Sequence, residues 1–173
     1  MQTKALVRPA GEGKGVLMAM SVKTFTITPT STIDRRRTGE GVKKSTAKAR
    51  AWKVFSEYIR RSYADDNGYV SCVTCGTTRQ WNDGIDAGHF IPKSRGNAVL
   101  YVVENVHPQC KRCNLMEGGN FEHYYPFMLE MYGESGIEEL RQLSKTTVNY
   151  SVQDYLDIEK EYKEKLIGLS SKS

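Results

Sequence analysis

Hydrophobic residues recur every three or four positions from about Ser45 onward, which predicts an amphipathic helix ending at Asp66-Asn67-Gly68. The recurring residues are Trp52, Phe55, Tyr58, Ile59 and Tyr63. Positively charged residues occupy the other faces of this helix. We expect the aromatic stripe to belong to the core rather than to form a platform for stacking bases.

Two more helical patterns follow towards the C-terminus. Residues 121–132 predict a helix that Gly133 stops, and a short helix follows it around Leu140. Ser151 and Asp154 have the spacing of a capping box, with Asp in place of the usual Glu, before a last helix. The apolar stripe of that helix is a candidate homodimer surface. It consists of Tyr155, Ile158, Tyr162 and Leu166.

The segment between these helices has no long helical period and is rich in glycine and cysteine, which is typical of short strands and turns. The pattern therefore predicts an α+β fold with a small metal-clamped core, at residues 69–123, flanked by helices. The core lies in a domain of residues 45–173. A basic and mostly disordered arm, residues 1–44, with one short strand around 25–27, precedes it.

Charge is distributed unevenly along the chain. The first 50 residues carry a net charge of +8, although the whole chain carries only +5. Arg35, Arg36 and Arg37 form the densest basic run. A basic arm on a near-neutral body is typical of proteins that bind phosphate backbones, so we expect these three arginines to contact DNA. A merely solubilising tail is the alternative.

No stretch approaches the roughly 18–20 consecutive apolar residues of a membrane helix, and the N-terminus lacks the apolar segment of a secretory signal. We therefore expect a cytoplasmic protein with no membrane partner.

The four cysteines form two Cys-x-x-Cys pairs, Cys72/Cys75 and Cys110/Cys113, with 34 residues between the pairs. Each two-residue spacer lets both sulfurs face one ion, so the four thiolates predict a closed tetrahedral zinc site. Such a site has no open position for water, which indicates a structural rather than a catalytic metal. Structural disulfides or a redox pair fit an intracellular chain poorly.

The insert between the pairs predicts a strand at 86–92, a basic loop at 93–96, a second strand at 100–103 and a helix beginning near Cys113. His89 lies in the first of these strands. A lone histidine on a strand is more often structural than catalytic. Asp86 upstream, Asn105 downstream and the closing cysteine pair make the combination more specific.

These residues resemble an HNH-type (His-Me finger) nuclease core and, more closely, the phage NinG (Rap) family of recombination nucleases. The motifs that carry the resemblance are Cys72-x-x-Cys75-Gly76, Asp86-Ala-Gly-His89, Asn105-Val-His107, Gln109-Cys110-x-x-Cys113-Asn114 and Gly119-Asn120. The resemblance implies a metal-dependent endonuclease acting on branched DNA, such as Holliday junctions and D-loops, in the cytoplasm of the host bacterium. Homodimerisation and recombination proteins as partners would suit that activity.

The resemblance also implies roles for individual residues. His89 would be the general base, and Asn105 would orient it through a hydrogen bond. Asp86 and Asn114, with Asn120 as a weaker third, would hold Mg²⁺ or Mn²⁺. The basic residues that flank this site are candidate phosphate contacts. They are Lys93, Arg95, Lys111 and Arg112.

Two departures from the family pattern keep other functions open. Many members carry further cysteines near the N-terminus, and this chain has none before Cys72. The HNH pattern also has an acidic residue directly before the histidine, where this chain has Gly88. We expect Asp86, on the same strand face, to substitute for it in the space that Gly88 leaves. The alternatives are a non-catalytic zinc module that binds DNA or a replication or recombination partner, and an HNH enzyme that nicks a specific sequence.

Overall fold

The computed structural model describes residues 41–170. Most of the basic arm predicted for residues 1–44 lies outside this range. The Arg35–Arg37 run and the short strand predicted around residues 25–27 lie outside it as well.

Two long helices, α1 (Lys44–Ser62) and α3 (Val152–Ser170), pack against each other. Ala47, Ala51, Phe55 and Ile59, spaced by four, are fully buried on α1. The opposing residues on α3 include Tyr162, whose ring meets that of Phe55 edge-on at 4.8 Å between centroids. The amphipathic period of α1 is thus confirmed as a core-facing stripe.

The stripe of α3 is used within the chain rather than between chains. Tyr155, Ile158 and Tyr162 are buried against α1, so the homodimer surface predicted from them is wrong. The period predicts the apolar face of α3 correctly, but an amphipathic stripe does not reveal whether its partner belongs to the same molecule.

The ends of these helices follow from local hydrogen bonds. α1 stops at Ser62, before the predicted Asp66-Asn67-Gly68, because the Asp65 carboxylate accepts the backbone N–H groups of Asn67 and Tyr69 and holds a turn there. Gly68, at φ +80°, lies in this turn. At the start of α3 the capping box is confirmed, since the Asp154 N–H donates to Ser151 Oγ and the Ser151 N–H donates back to the Asp154 carboxylate.

The described residues form two small antiparallel sheets. β1 (Tyr69–Ser71) pairs with β2 (Thr78–Gln80), and β3 (Ile85–His89) pairs with β4 (Val106–Cys110). In the second hairpin Asp86 lies opposite Gln109, and Gly88 lies opposite His107. The strand predicted at residues 100–103 is wrong, because this segment forms turns and the next segment provides the strand.

Helix α2 (Phe121–Ser144) packs on the face of this hairpin that is opposite to α1. Gly133 interrupts it with φ 66° and ψ 178°, which confirms the predicted break between two helical pieces. Tyr124 of α2 donates a hydrogen bond of 3.0 Å to the Gly88 carbonyl, while Ala87 on the neighbouring position belongs to the α1 cluster. The β3–β4 hairpin is therefore held between α1 and α2 in a mixed α+β fold.

No helix within residues 41–170 is long and apolar enough to cross a membrane.

Candidate functional site

The four cysteines come together as the sequence predicts. Their Sγ atoms all lie within 4.8 Å of one another, and Cys75 and Cys110 are 3.7 Å apart at sulfur. Four Zn–S bonds of about 2.3 Å arranged as a tetrahedron put the sulfurs about 3.8 Å apart, so the spacing suits zinc. The cluster could therefore bind a metal ion such as zinc.

Polar groups surround these sulfurs. Thr74 Oγ1 lies 3.1 Å from Cys72 Sγ, Thr77 Oγ1 lies 3.2 Å from Cys75 Sγ, and Asn120 Nδ2 donates to Cys113 Sγ at 3.4 Å. Such contacts orient sulfur ligands and stabilise their negative charge. Burial raises the pKa of Cys113 to about 12, so a nearby cation is needed to keep that thiol ionised at neutral pH.

Asn120 therefore serves the cysteine cluster. Its Nδ2 also donates to Glu117 at 2.8 Å, and its Oδ1 accepts a hydrogen bond from His123 Nδ1 at 2.8 Å. The expectation that Asn120 joins Asp86 as a ligand of a catalytic metal is not supported, because its side chain is committed to these partners.

His89 ends β3 on the side that faces α1. Its ring stacks on Trp52 at 5.1 Å between centroids, and its Nε2 lies 3.1 Å from the Leu100 carbonyl. Because a carbonyl only accepts hydrogen bonds, Nε2 carries the proton and Nδ1 keeps its lone pair. Burial lowers the pKa of His89 to about 4, with the positive charge of Lys93 acting in the same direction. The imidazole is therefore neutral near pH 7.

Asn105 is fully buried and acts on the loop beside His89. Its Oδ1 accepts the Ile91 N–H at 2.8 Å, and its Nδ2 donates to the Ile91 and Val99 carbonyls, each at 3.1 Å. These bonds take the place of the direct bond to His89 expected from the sequence. They also close the loop between Ile91 and Asn105, in which the segment 100–103 forms turns instead of the predicted strand. Asn105 binds the carbonyl of Val99, and the next carbonyl, that of Leu100, accepts the hydrogen bond from His89 Nε2. Asn105 therefore positions His89 indirectly, through the backbone of this loop.

Asp86 and Asn114, the two main candidate ligands of a catalytic ion, are in contact with each other. Asn114 Nδ2 donates to Asp86 Oδ2 at 3.1 Å, and both residues are half-buried. Asp86 and His89 are three residues apart on β3, so their side chains leave opposite faces of the strand. The structure thus brings the two candidate ligands together and directs the candidate base to the other face.

Gly88 does not leave an empty space beside Asp86. A Cβ atom at this position would lie only 2.1 Å from Gln109 Oε1, so the Gln109 side chain fills the position expected for an acidic ligand. Gln109 is fully buried, and its Nε2 donates to the Gly119 carbonyl at 2.8 Å. Its Oε1 is a buried acceptor without a hydrogen bond among the described residues.

His107 is a structural residue of the hairpin. Tyr124 Oη donates to the Gly88 carbonyl and must therefore accept from His107 Nδ1, 2.8 Å away. His107 Nε2 is consequently the acceptor for Tyr132 Oη at 3.0 Å. Complete burial lowers the pKa of His107 to about 3, which keeps it neutral. Because it is fully buried, His107 cannot contact a DNA phosphate.

The four basic candidates within the described residues have different surroundings. Lys93 Nζ lies 3.8 Å from the centre of the Trp52 ring, which places a positive charge beside His89. Arg112 forms a salt bridge of 2.6 Å with Glu117, so its charge is partly neutralised. Arg95 and Lys111 are exposed.

Sequence reasoning assigned no role at the site to three residues, Trp52, Gln109 and Lys48, although it placed Trp52 in the helical stripe and Gln109 in a family motif. Lys48 is one helical turn before Trp52 on α1 and is close enough to lower the pKa of Lys93 by repulsion, after burial. Its spacing from Trp52 was visible in the sequence, but the position of α1 against the hairpin was not. The place of Gln109 beside Gly88 was not visible either, because it needs the register of the β3–β4 hairpin.

Comparison with known proteins gives a consistent family. The model of the family described as Bacteriophage Lambda NinG protein matches residues 31–171. Protein ninG of Salmonella phage P22 is 27% identical over 128 residues, which cover 69% of this chain and 61% of that protein. Protein ninG of Escherichia phage lambda is 26% identical over 128 residues, covering 69% and 60% respectively. No solved structure matches the chain at a significant level.

The alignments leave part of the relatives unmatched, since the chain spans about three fifths of their length. The family match nevertheless includes the cysteine cluster, the β3–β4 hairpin and all three long helices of the described residues. The chain therefore belongs to the NinG family of bacteriophage proteins.

Proposed function

We propose that this protein is a metal-dependent endonuclease of the HNH type that cuts branched DNA during recombination. The observation that carries the proposal is His89, a neutral imidazole with Nε2–H bound to the Leu100 carbonyl and Nδ1 left as a proton acceptor. Phosphodiester hydrolysis needs a group that takes a proton from the attacking water, and a neutral histidine fixed by its other nitrogen suits that task.

Asp86 and Asn114 are the residues that would hold a catalytic divalent cation. Neighbouring oxygen ligands of Mg²⁺ are about 3 Å apart, since Mg–O bonds are about 2.1 Å long and meet at right angles. The 3.1 Å between the two side chains suits this, provided that the Asn114 amide presents its oxygen instead of its nitrogen. Mg²⁺ or Mn²⁺ bound there would stabilise negative charge on the phosphate.

The charge around His89 favours a phosphate-containing substrate. Lys93 and Lys48 both lie on this side of the hairpin, and Arg95 follows in the same loop. Lysine and arginine contacts to phosphates position DNA without reading its sequence. The basic first 50 residues, with a net charge of +8, would add affinity that falls as salt rises.

In this proposal the four cysteines hold structural zinc. A four-sulfur site stabilises the fold around it but has no open position for a substrate. Gln109 links this site to the hairpin, because its Nε2 donates to Gly119 beyond Cys113 and its side chain packs against Gly88.

A second candidate is a zinc module that binds DNA, or a replication or recombination partner, without cutting. The position of Gly88 favours it, because Gln109 fills the space in which the HNH pattern has an acidic ligand. The opposite directions of Asp86 and His89 on β3 favour it as well.

Cleavage of a labelled synthetic four-way junction, compared with a linear duplex of the same sequence, separates these functions. Both substrates are incubated with zinc-loaded protein, with and without Mg²⁺ or Mn²⁺. We expect cutting of the junction only, and only with the added ion. Binding without cutting under either ion would favour the zinc module, and cutting of the linear duplex at one site would indicate a sequence-reading nickase.

A further inference from the structure

Two neighbouring apolar side chains project into solvent beside the cysteine cluster. Leu115 is 67% exposed and Met116 is 82% exposed. They end a π-helical turn (Arg112–Met116), which Lys111 separates from the end of β4 at Cys110. Large apolar residues this exposed and adjacent in sequence are unfavourable in water, which suggests a partner that covers them.

The segment that carries this pair is firmly held on both sides. Cys113, two residues before Leu115, is buried in the cysteine cluster, and its carbonyl accepts the Gly119 N–H at 2.9 Å. The Gly119 carbonyl in turn accepts from Gln109 at 2.8 Å. The pair therefore extends from a fixed base and would lose little conformational freedom on binding.

The surroundings of the pair are suited to nucleic acid. Lys111 and Arg112 lie four and three residues before Leu115; Lys111 forms no salt bridge within residues 41–170, whereas Arg112 is paired with Glu117. Asn114, one of the candidate metal ligands, is the residue directly before Leu115. Two side chains are far too small an apolar area for a stable protein interface, which needs about 1,000 Å² or more. They match the size of a gap between two bases.

We propose that Leu115 and Met116 form an apolar wedge that inserts at the branch point of a DNA junction. Leucine and methionine are among the residues that proteins insert between bases, and a branch point offers bases whose stacking is already interrupted. Insertion costs more unstacking energy in a linear duplex, so the wedge selects branched DNA. This inference rests on the proposed function, because it explains how that site would choose its substrate.

The test uses DNA binding without cleavage. A four-way junction carries 2-aminopurine beside the branch point, and the linear duplex carries it at the same sequence position; no Mg²⁺ or Mn²⁺ is added. The variant is Leu115→Ala/Met116→Ala. The control is Ile167→Ala on α3, which removes an equally exposed apolar residue, 71% exposed, far along the chain from the pair. Circular dichroism and zinc content check that each variant is folded.

We expect the wild type and Ile167→Ala to raise the 2-aminopurine fluorescence of the junction, because the base next to the wedge loses its stacking partner. The double variant should lose this increase and bind the junction about tenfold more weakly, with unchanged affinity for the linear duplex. An unchanged fluorescence increase and junction affinity in the double variant would overturn the inference. A double variant that loses self-association but binds the junction as tightly as the wild type would also overturn it, because the pair would then contact a second copy of the chain.

Failure of the wedge and failure of the proposed function give different results. If the wild type raises the fluorescence but never cuts the junction with Mg²⁺ or Mn²⁺, the wedge is supported and the nuclease is not. If the double variant cuts the junction as selectively as the wild type does, the nuclease is supported and the wedge is overturned.

Discussion

At the scale of single residues, the contact between Gly88 and Gln109 determines which residue type fits at position 88, directly before His89. A Cβ at position 88 would lie within 3.0 Å of three Gln109 side-chain atoms, and Gln109 has no room to move because it is fully buried. Glycine is therefore required here by packing. The sequence alone suggested a missing acidic ligand, because the pattern of one strand does not reveal which side chain from the opposite strand fills the space.

Gly88→Ala should lower the free energy of unfolding by about 1–3 kcal/mol, as expected for overpacking in a core. Truncating the neighbour in the variant Gly88→Ala/Gln109→Ala should restore part of this loss, so the double variant should lose less than the sum of the single ones. Urea unfolding measures all three. Gly168→Ala on α3, where a Cβ meets open space, is the control and should be neutral or slightly stabilising. Strict additivity of the two changes would contradict the contact.

His107 should make the protein less stable in mild acid. Its pKa is about 3 in the fold and about 6.5 in the unfolded chain, so below pH 6.5 the unfolded state takes up a proton that the folded state does not. Stability due to this residue is complete above pH 6.5 and falls as the pH drops towards 3. His107→Gln should therefore lower the slope of unfolding free energy against pH by about 1 kcal/mol per pH unit between pH 6 and pH 5.

The slope is the measured quantity because His107→Gln will also change the stability at pH 7 by removing hydrogen bonds to Tyr124 and Tyr132. His123→Gln, which removes a histidine at an exposed position on α2, is the matched control. Identical slopes in His107→Gln and the wild type would contradict the account of a buried neutral histidine.

At the scale of elements, the sequence indicated the helices better than the strands. The period of α1, the break at Gly133 and the start of α3 depend on local spacing and local hydrogen bonds, so they could be read from neighbouring residues. The second strand of the hairpin depends on the fully buried Asn105, which closes the preceding loop. Its bonds reach residues 6 and 14 positions away, beyond what periodicity reveals.

The capping box of α3 gives a prediction at this scale. Ser151→Ala removes the acceptor of the Asp154 N–H, 3.1 Å away, and should destabilise the protein by about 1 kcal/mol. Thermal unfolding measures the loss, and Ser151→Thr, which keeps the hydroxyl, should recover most of it. A melting temperature unchanged in Ser151→Ala would show that the cap contributes nothing to the packing of α3 on α1.

At the scale of the whole molecule, the cysteine cluster joins distant parts of the chain. Cys72 and Cys75 precede the β3–β4 hairpin, while Cys110 ends it and Cys113 follows it. The sequence predicted this clamp because the Cys-x-x-Cys spacing has few other uses in this context. The sequence could not predict that the Gln109 side chain connects the segment beyond Cys113 to Gly88, since this contact depends on the register of the hairpin.

Metal removal should unfold the region around residues 70–120, because binding energy at such a site contributes directly to folding. We expect about one zinc ion per chain in the purified protein and a clear fall of the melting temperature, followed by circular dichroism, after treatment with a strong chelator. Added zinc should restore the melt, and added Mg²⁺ should not. A melt that is unchanged by chelation would contradict a structural metal at the four cysteines.

The most direct test of the central claim is cleavage of the four-way junction by His89→Ala, with His123→Ala as the matched histidine control. In Mg²⁺, the account predicts that His89→Ala cuts at least about a hundredfold more slowly while it binds the junction as tightly as the wild type, because a positioned general base contributes about 10²–10⁴-fold. His123→Ala should cut at the wild-type rate. Equal cutting by His89→Ala, with its fold and zinc content intact, would contradict the assignment of His89 as the base.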